Sequence, residues 1–396
     1  FHGELRAVQQ AAAAQITKQD EGILCAPTAF GKTTLAAWVM AQRRVNTLVL
    51  VHRRQLLDQW RERLAMFLHL PAGSIGQIGG GKATRTGGVD VAVIQSLQRK
   101  GVVQDLVAEY GQVIVDECHH VPAFTFERVM KQVKARYVLG LTATPIRKDG
   151  HHPILYMQCG PVRFHLDARK MALAAPFEHR VIPRGTGFRA PGEDADTTIQ
   201  DLYAALVNDH ARNELIVRDL LGSIAAGRSP LLLTGRKEHL RQLATLLEGR
   251  VQNVFVLHGG LGRKQRQALT EALRVVPEGE QRAILATGSY IGEGFDDARL
   301  DTLLLALPIS WRGTLQQYVG RLHRLHDNKR VVQVYDYVDA HVPMLARMYE
   351  KRLRGYQAIG YTVEHDARDP RQRRSLRQQK LLLRVRVDWG PEPASG

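Results

Sequence analysis

The chain has 396 residues, a net charge of +16 and a pI of about 10.0, and 44% of its residues are hydrophobic. The length allows two domains and an appendage, since one domain takes roughly 100–200 residues, and the hydrophobic content excludes a disordered chain. The positive charge predicts a polyanionic partner. The sequence contains no apolar run of about 18 residues, as a membrane span requires. Its three cysteines indicate a reducing, cytoplasmic compartment rather than a disulfide framework.

Apolar runs alternate with helical segments through the first part of the chain. Strands are predicted at 23–25, 47–51, 89–94, 113–115 and 137–141, with helices such as 33–42 and 55–67 between them. This alternation is typical of a parallel sheet built from βαβ units. Prolines and a glycine-rich stretch then interrupt the pattern over 148–196, which predicts a linker or lid.

The same alternation resumes in the second part of the chain. Strands are predicted at 231–233, 254–257, 283–286, 302–305 and 331–337, with helices such as 237–247 and 314–325 between them. The sequence therefore predicts an α/β fold with two parallel-sheet domains, over 1–147 and 197–340. Residues 341–396 are expected to form a basic C-terminal helix and tail, either as a solvated basic surface or as an extension that contacts phosphates.

Residues 26–33, with the sequence APTAFGKT, follow the first predicted strand and begin a helix. This spacing is typical of a phosphate-binding loop, in which backbone N–H groups and a helix N-terminus face the phosphates. Lys32 is expected to reach the β and γ oxygens, and the Thr33 hydroxyl to hold Mg²⁺. Ala26 and Ala29 stand where glycines are common, so a chance Gly-Lys-Thr in a surface turn is the alternative interpretation.

Two acids, Asp116 and Glu117, follow the buried strand predicted at 113–115. Ligands bind at the carboxyl ends of strands in open α/β sheets. There Asp116 would hold Mg²⁺, directly or through water, while Glu117 would orient and deprotonate the water that attacks a γ-phosphate. The alternative is a solvated acidic turn.

The second half of the chain supplies arginines that could complete this site. Arg321 and Arg324 lie three residues apart in the helix predicted at 314–325, so that both would point from one helical face. Two arginines placed in this way, with Gln317 before them, indicate arginine fingers that complete a nucleotide site. An ordinary basic helix surface is the alternative.

Taken in chain order, the segments described above and their neighbours resemble the conserved motifs of superfamily 2 helicases of the DExH type. In those helicases, two RecA-like domains share one ATP at their cleft. Residues 26–33 resemble motif I, 116–119 motif II, 142–144 motif III, 286–296 motif V and 317–324 motif VI. The run GLTATPIRKDG at 140–150 is similar to the XPB-like and type III restriction group. The chain also resembles the helicase part of TOTE-type primase–helicases, and with its start at Phe1 this predicts a piece of such a longer polypeptide.

The resemblance implies roles for residues beyond those indicated by spacing. It implies adenine recognition by Arg6 and Gln9, and further ATP contacts by Thr28, Ala29, Gly31, Gly292 and Asp296. It implies coupling of the two sites by His119, Thr142 and Thr144, and nucleic-acid contacts by His52, Arg53, Gln95, Ser96, His258, Gly259 and Thr287.

The predicted function is that of an ATP-dependent and Mg²⁺-dependent helicase or translocase, acting on DNA with 3′–5′ polarity by family resemblance. The alternative is an ATP-gated duplex-remodelling or RNA-directed binding subunit that does not separate strands. The motifs leave DNA and RNA undistinguished, because such proteins contact the sugar-phosphate backbone.

Overall fold

The computed structural model describes residues 1–71, 73–99, 101–120, 123–143, 152–190, 198–291, 295, 297–309 and 312–364. Within these residues, two mainly parallel sheets follow each other along the chain, and helices flank each sheet. The predicted α/β class with two parallel sheets is confirmed. No helix among the described residues is both long and apolar enough to cross a membrane.

The first sheet and a small hairpin contain strands β1 to β10. Their bounds are β1 Glu21–Cys25, β2 Thr47–Val51, β3 Ile75–Gly79, β4 Lys82–Thr84, β5 Val89–Val93, β6 Gln98–Arg99, β7 Val102–Val103, β8 Gln112–Val115, β9 Tyr137–Thr142 and β10 Val162–His165. The strand order is β10-β1-β9-β8-β2-β5-β3-β4, and only the β3–β4 pair among these is antiparallel. Strands β6 and β7 pair with each other as a separate hairpin.

Six helices accompany this sheet in the described residues. They are α1 Ala7–Ile16, α2 Lys32–Arg43, α3 Arg54–Leu68, α4 Ala123–Met130, α5 His152–Cys159 and α6 Ala168–Leu173. Short 3₁₀ helices cover Ile94–Leu97, Asp105–Glu109 and Cys118–His120.

The second sheet contains seven strands in the described residues, and all of its pairs are parallel. The strands are β11 Glu178–Gly185, β12 Pro230–Thr234, β13 Asn253–Leu257, β14 Arg282–Thr287, β15 Thr302–Leu305, β16 Val331–Val338 and β17 Thr362–Val363, in the order β13-β14-β12-β15-β16-β11-β17. The accompanying helices are α7 Ile199–Asn208, α8 His210–Ala225, α9 Lys237–Leu247, α10 Arg263–Val275, α11 Gly288–Ile291, α12 Arg312–Gly320 and α13 Pro343–Ala358.

Both sheets bury both of their faces, which explains why their strands are continuous apolar runs. Along β2, Val49 and Val51 pack into one core while Leu48 and Leu50 pack into another on the opposite face. Successive strand side chains point to opposite faces, so each central strand contributes to two cores. The carboxyl ends of the parallel strands in each sheet consequently meet at one edge, where functional side chains are expected.

The structure differs from the expected linker over 148–196. Strand β10 pairs with β1 at one side of the first sheet, and β11 pairs with β16 inside the second sheet. Strand β17 also belongs to the second sheet, since it pairs with β11. Helix α13 packs on that sheet, where Arg352 donates to Asp336 of β16. The prolines of this segment predict irregular structure, but one of them, Pro183, lies within strand β11. The domain boundaries given above stay predictions.

The predicted helix over 314–325 is wrong beyond Gly320, where α12 ends. Residues 321–323 form a turn closed by short backbone bonds, from Leu322 N to Val319 O (3.0 Å) and from His323 N to Gly320 O (3.3 Å). Two features explain this end: glycine is a poor helix former, and the carbonyls of Leu322 and Arg324 bond to the Lys329 ammonium instead of to helical N–H groups. Arg321 and Arg324 therefore reach the same region from a turn and not from one face of a helix.

Candidate functional site

The loop between β1 and α2 has the backbone of an anion-binding site. Gly31, the residue that precedes α2, adopts φ +88°, and Ala29 adopts φ +74°. Both values lie in the left-handed region, which glycine enters freely and alanine enters at a cost of about 1–2 kcal/mol. The N–H groups of the first turn of α2, which begins at Lys32 and includes Thr33, face the loop side without intrahelical partners. This arrangement favours a bound phosphate.

Arg6 and Gln9 hold this loop from the side of α1. The Arg6 guanidinium donates to the carbonyl oxygens of Ala29 (3.3 Å) and Phe30, and the Gln9 amide donates to Phe30 O at 2.8 Å. Gln9 is buried, and its Oε1 accepts a hydrogen bond from Arg6 N at 2.9 Å. The two side chains thus hold the carbonyls of Ala29 and Phe30, while adenine recognition by them stays a prediction.

Glu117 lies between a lysine and a histidine at the end of β8. Its Oε1 is 3.5 Å from Lys32 Nζ, and its Oε2 is 3.5 Å from His119 Nδ1. Lys32 Nζ also donates to Ala26 O at 3.1 Å. Glu117 adopts φ +43°, a left-handed backbone conformation that is strained for a residue with a Cβ and that is often found at functional sites. The carboxylate is therefore held beside the phosphate loop.

Asp116 is a buried carboxylate with two protein donors. The Trp60 indole N–H donates to its Oδ2 at 2.7 Å, and the Glu117 backbone N–H donates to its Oδ1 at 2.9 Å. Burial raises the pKa of Asp116 to about 6, and the nearby charge of Glu117 adds to the rise. Each carboxylate oxygen keeps a second lone pair beyond these bonds. Asp116, with the Thr33 hydroxyl across the crevice, fits a divalent cation that would relieve this buried charge.

Side chains from both sheets line a single crevice of about 90 Å³. The first sheet contributes the phosphate loop, Asp116 and Glu117, and the second contributes Gln317, Arg321 and Arg324. Arg321 Nη1 donates to Phe295 O at 2.9 Å. Burial lowers the pKa of Arg6, and the positive charge of Arg324 lowers it further. Arg324 is therefore close enough to Arg6 for the two charges to repel each other. The structure thus places both arginines at the crevice.

The residues expected to contact nucleic acid lie at the carboxyl edges of both sheets. His52 follows β2, and Gln95 and Ser96 follow β5, which is paired in parallel with β2. In the second sheet, His258 follows β13, and Thr287 ends β14, its parallel neighbour. Arg53 is exposed beside His52. Gly259 and Thr287, with Lys237, line a second cavity of about 570 Å³.

Three predicted site residues lie outside the described residues: Thr144, Gly292 and Asp296. Of the coupling residues, His119 and Thr142 are described and contact each other, with 2.7 Å between His119 Nδ1 and Thr142 Oγ1. The roles assigned to individual residues stay predictions.

Trp60 and its neighbours on α3 belong to the crevice but were not predicted from the sequence. Gln59, Trp60 and Arg63 line it beside Asp116. Trp60 precedes Asp116 by 56 positions, so no local spacing connects the two residues. The only available signal was the amphipathic pattern of α3, which predicts a buried Trp60 but not its partner.

Two family models match the chain in the order of its two sheets. The res subunit of type III restriction enzymes matches residues 2–147, and the helicase conserved C-terminal domain matches residues 212–326. The chain belongs to the superfamily 2 helicases. Within them it is of the XPB-like and type III restriction group, and this helicase hydrolyses ATP.

Similar proteins extend this assignment over most of the helicase. It is 26% identical over 353 residues to the DNA 3′-5′ translocase XPB2 of Sulfurisphaera tokodaii, covering 81% of this chain and 78% of that protein. It is 28% identical over 282 residues to the DNA 3′-5′ helicase XPB of Kineococcus radiotolerans, covering 68% of this chain and 48% of that protein.

Solved structures share the fold of the helicase at low sequence identity. S. cerevisiae Dbp5 bound to RNA and ADP BeF3 aligns with a TM-score of 0.63 at 13% identity, covering 97% of this chain and 94% of that one. The Type ISP restriction-modification enzyme LlaBIII bound to DNA aligns with a TM-score of 0.64 at 15% identity, covering 96% of this chain and 32% of that one. The tandem RecA-like architecture expected from the sequence is confirmed.

Proposed function

We propose that this helicase acts on DNA with 3′–5′ polarity and couples ATP hydrolysis in the crevice to stepping along a strand. The observation that carries the proposal is the convergence of Lys32 and Glu117 from the first sheet with Arg321 and Arg324 from the second on one crevice. DNA and the polarity are supported by the names of the XPB2 and XPB relatives. The place of the chain in a primase–helicase polypeptide stays a prediction.

The arrangement of charges fits phosphoryl transfer to water. Lys32 and the first turn of α2 would bind the phosphate oxygens, and Glu117, 3.5 Å from Lys32, would accept the proton of the attacking water. As the new O–P bond forms, the bond to the ADP oxygen breaks, and Arg321 and Arg324 would stabilise the charge on the transferred group. Mg²⁺, held by Thr33 and Asp116, would neutralise the phosphate oxygens.

The positions of these residues also link hydrolysis to motion. Lys32 and Glu117 lie with the first sheet and the arginines with the second. A γ-phosphate bound in the crevice would therefore bridge the two domains. Loss of that bridge would allow the crevice to open, as in other domain-closure enzymes. The His119–Thr142 contact joins the end of β8 to the end of β9 and would pass the change to the edge that holds His52 and Ser96.

The catalytic roles are tested by Glu117→Gln and Arg321→Ala. We expect the DNA-stimulated ATPase rate to fall by about 10²–10⁴-fold in Glu117→Gln and by about 10³–10⁵-fold in Arg321→Ala. Matched controls are Glu127→Gln, a surface acid of α4 paired with Lys131, and Arg330→Ala, an exposed arginine of the second domain. Near-normal turnover in Glu117→Gln would remove the base assignment.

The nucleic-acid substrate is tested by strand displacement on 3′-tailed, 5′-tailed and blunt duplexes of DNA and of RNA. The proposal expects ATP-dependent displacement of the 3′-tailed DNA duplex above the others. Displacement that prefers 5′ tails or RNA would contradict the polarity or the substrate. ATPase stimulation without displacement on any substrate would identify a translocase or remodelling subunit that leaves strands paired.

A further inference from the structure

Lys329 is a buried cation that has no part in the proposed chemistry. It precedes β16, and only 4% of the residue is exposed. Its ammonium donates three hydrogen bonds to backbone carbonyls: to Ala298 O at 2.9 Å, to Leu322 O at 2.8 Å and to Arg324 O at 2.8 Å. A lysine ammonium has three N–H donors, so these bonds use its full capacity.

Two of these carbonyls belong to the turn that carries the crevice arginines. Leu322 O and Arg324 O lie on either side of His323, just beyond the end of α12 at Gly320. Because both carbonyls point inward to Lys329, the backbone of the turn has little freedom to rotate. Arg324 and Arg321 line the crevice from this turn, and Leu322 is fully buried.

The third carbonyl connects Lys329 to the loop that holds Arg321. Ala298 lies three residues after Phe295, whose carbonyl accepts a hydrogen bond from Arg321 Nη1 at 2.9 Å. One ammonium therefore ties the backbone that carries Arg321 to the segment that its guanidinium contacts. Among the described contacts, no other side chain bonds both segments through their carbonyls.

His323 adds a second set of contacts to the turn. Its Nε2 lies 2.8 Å from the Tyr361 hydroxyl, and its ring packs edge-to-face on His179 with 4.7 Å between centroids. Tyr361 directly precedes β17, and His179 lies in β11. The turn is thus held both by Lys329 and by an aromatic cluster of His179, His323 and Tyr361.

We propose that Lys329 is a positioning residue, which holds the turn so that Arg321 and Arg324 meet the phosphates when the crevice closes. This inference rests on the proposed function, since it needs the arginines to act in catalysis. A misplacement of about 1 Å in such a group costs as much as about 10²-fold in rate. Two charge-assisted bonds to the turn and a third to the neighbouring segment at Ala298 oppose a shift of this size.

The test compares Lys329→Met with Arg228→Met, measuring kcat, the KM for ATP and the midpoint of urea unfolding. Arg228 is a matched control: it is half-buried in the same domain and donates to Asp301 O at 3.1 Å and Val331 O at 2.7 Å, outside the turn. Both variants are expected to unfold at lower urea concentration. Only Lys329→Met is expected to lower kcat of the folded protein, by about tenfold or more, with the KM for ATP within about twofold. Equal kcat values in the two variants would overturn the proposal.

A second measurement compares pH profiles and keeps a cation at position 329. Burial lowers the pKa of Lys329 to about 8, against the opposing charges of Asp301 and Asp297. Of its other neighbours, Phe177 carries no charge, and burial lowers the pKa of His323 to about 3. As the pH rises through about 8, Lys329 loses a proton and one donor. We expect kcat of the wild-type protein to fall there, and kcat of Lys329→Arg to stay constant over the same range. Parallel pH profiles would overturn the proposal.

A combined variant separates this inference from the proposed function. In an Arg321→Ala, Arg324→Ala background, Lys329→Met is expected to cause no further loss of kcat, because it acts through those arginines. If the arginine variant itself hydrolyses ATP at the wild-type rate, the proposed function fails. If the arginine variant is inactive while Lys329→Met keeps the wild-type kcat, only the inference fails.

Discussion

Gly320 and Thr28 touch across the boundary between the two sheets. A Cβ placed on Gly320, the last residue of α12, would lie 2.7 Å from Thr28 Cβ in the phosphate loop. Side-chain carbons do not approach each other this closely, so a glycine at this position permits the close approach. The two sheets thus meet where the phosphate loop and the arginine turn come together.

Gly320→Ala is expected to hold the crevice slightly open. The added methyl group forces the phosphate loop and the end of α12 apart, and we expect kcat to fall by about tenfold or more, since small misplacements cost up to about 10²-fold. The matched control is Gly222→Ala in α8, where a Cβ meets nothing within 4 Å. Steady-state or stopped-flow measurements of ATP hydrolysis compare the two variants. Equal rates would contradict a role for the Gly320–Thr28 contact in closing the crevice.

Trp60→Phe is expected to weaken the response to Mg²⁺. The substitution keeps a ring in the core but removes the N–H that donates to Asp116 Oδ2 at 2.7 Å. A hydrogen bond to a charged group contributes about 1.5–3 kcal/mol, and its loss frees the Asp116 carboxylate from its fixed orientation, so we expect the half-saturating Mg²⁺ concentration of the ATPase to rise by about tenfold. The control is Trp38→Phe, because Trp38 of α2 is also a tryptophan and is partly buried against the same core. An unchanged Mg²⁺ titration would argue against Asp116 as a ligand.

The stability of the second domain is expected to fall between pH 7 and pH 5. Burial lowers the pKa of His323 and of His239 to about 3, from an ordinary value of 6.5. Below pH 6.5 the unfolded chain binds protons that these buried rings do not, so the free energy of unfolding decreases as the pH falls, by roughly 1–2 kcal/mol for each histidine at pH 5. Urea unfolding at both pH values measures this difference. His239→Asn should reduce the pH dependence and His210→Asn, an exposed position, should not; identical behaviour of the two would count against this account.

The basic tail is best tested by a chain that ends after Glu364. An earlier stop would remove Tyr361, which is buried in the core of the second domain, and β17, which pairs with β11. Removal of 365–396 deletes the basic residues Arg368, Arg371, Arg373, Arg374, Arg377, Lys380, Arg384 and Arg386. If the tail contacts phosphates, DNA binding weakens and the log–log salt slope decreases by about 0.7–0.9 for each lost contact. Fluorescence anisotropy at several salt concentrations measures the slope, and an unchanged slope would leave the tail as a solvated surface.

Arg352 shows why the sequence could not distinguish surface arginines from arginines buried in ion pairs. It lies among Arg347, Lys351 and Arg354 in α13, a basic region for which the sequence leaves both a solvated surface and a phosphate contact open. In the structure its guanidinium is buried and donates to both oxygens of Asp336, at 2.8 and 2.7 Å. Asp336 lies in β16, so the partner comes from a different element and only the packing of α13 on the second sheet identifies it.

The motifs themselves could be located because their chemistry is local. Glycine, lysine and threonine in 26–33, or two acids after an apolar strand, indicate a phosphate site within a few residues. The end of α12 at Gly320 could not be predicted in this way, because Lys329 competes for the carbonyls of Leu322 and Arg324 from outside the helix.

The sequence by itself determined the α/β fold, the two sheets and the identity of the ATP-binding segments, because hydrophobic periodicity and phosphate-loop chemistry depend on neighbours in the chain. Only the tertiary structure decided that Trp60 supports Asp116, that Gly320 meets Thr28 and that Lys329 holds the arginine turn. Each of these contacts joins atoms that are distant in sequence, and such pairs are selected by how helices pack on sheets rather than by local preference.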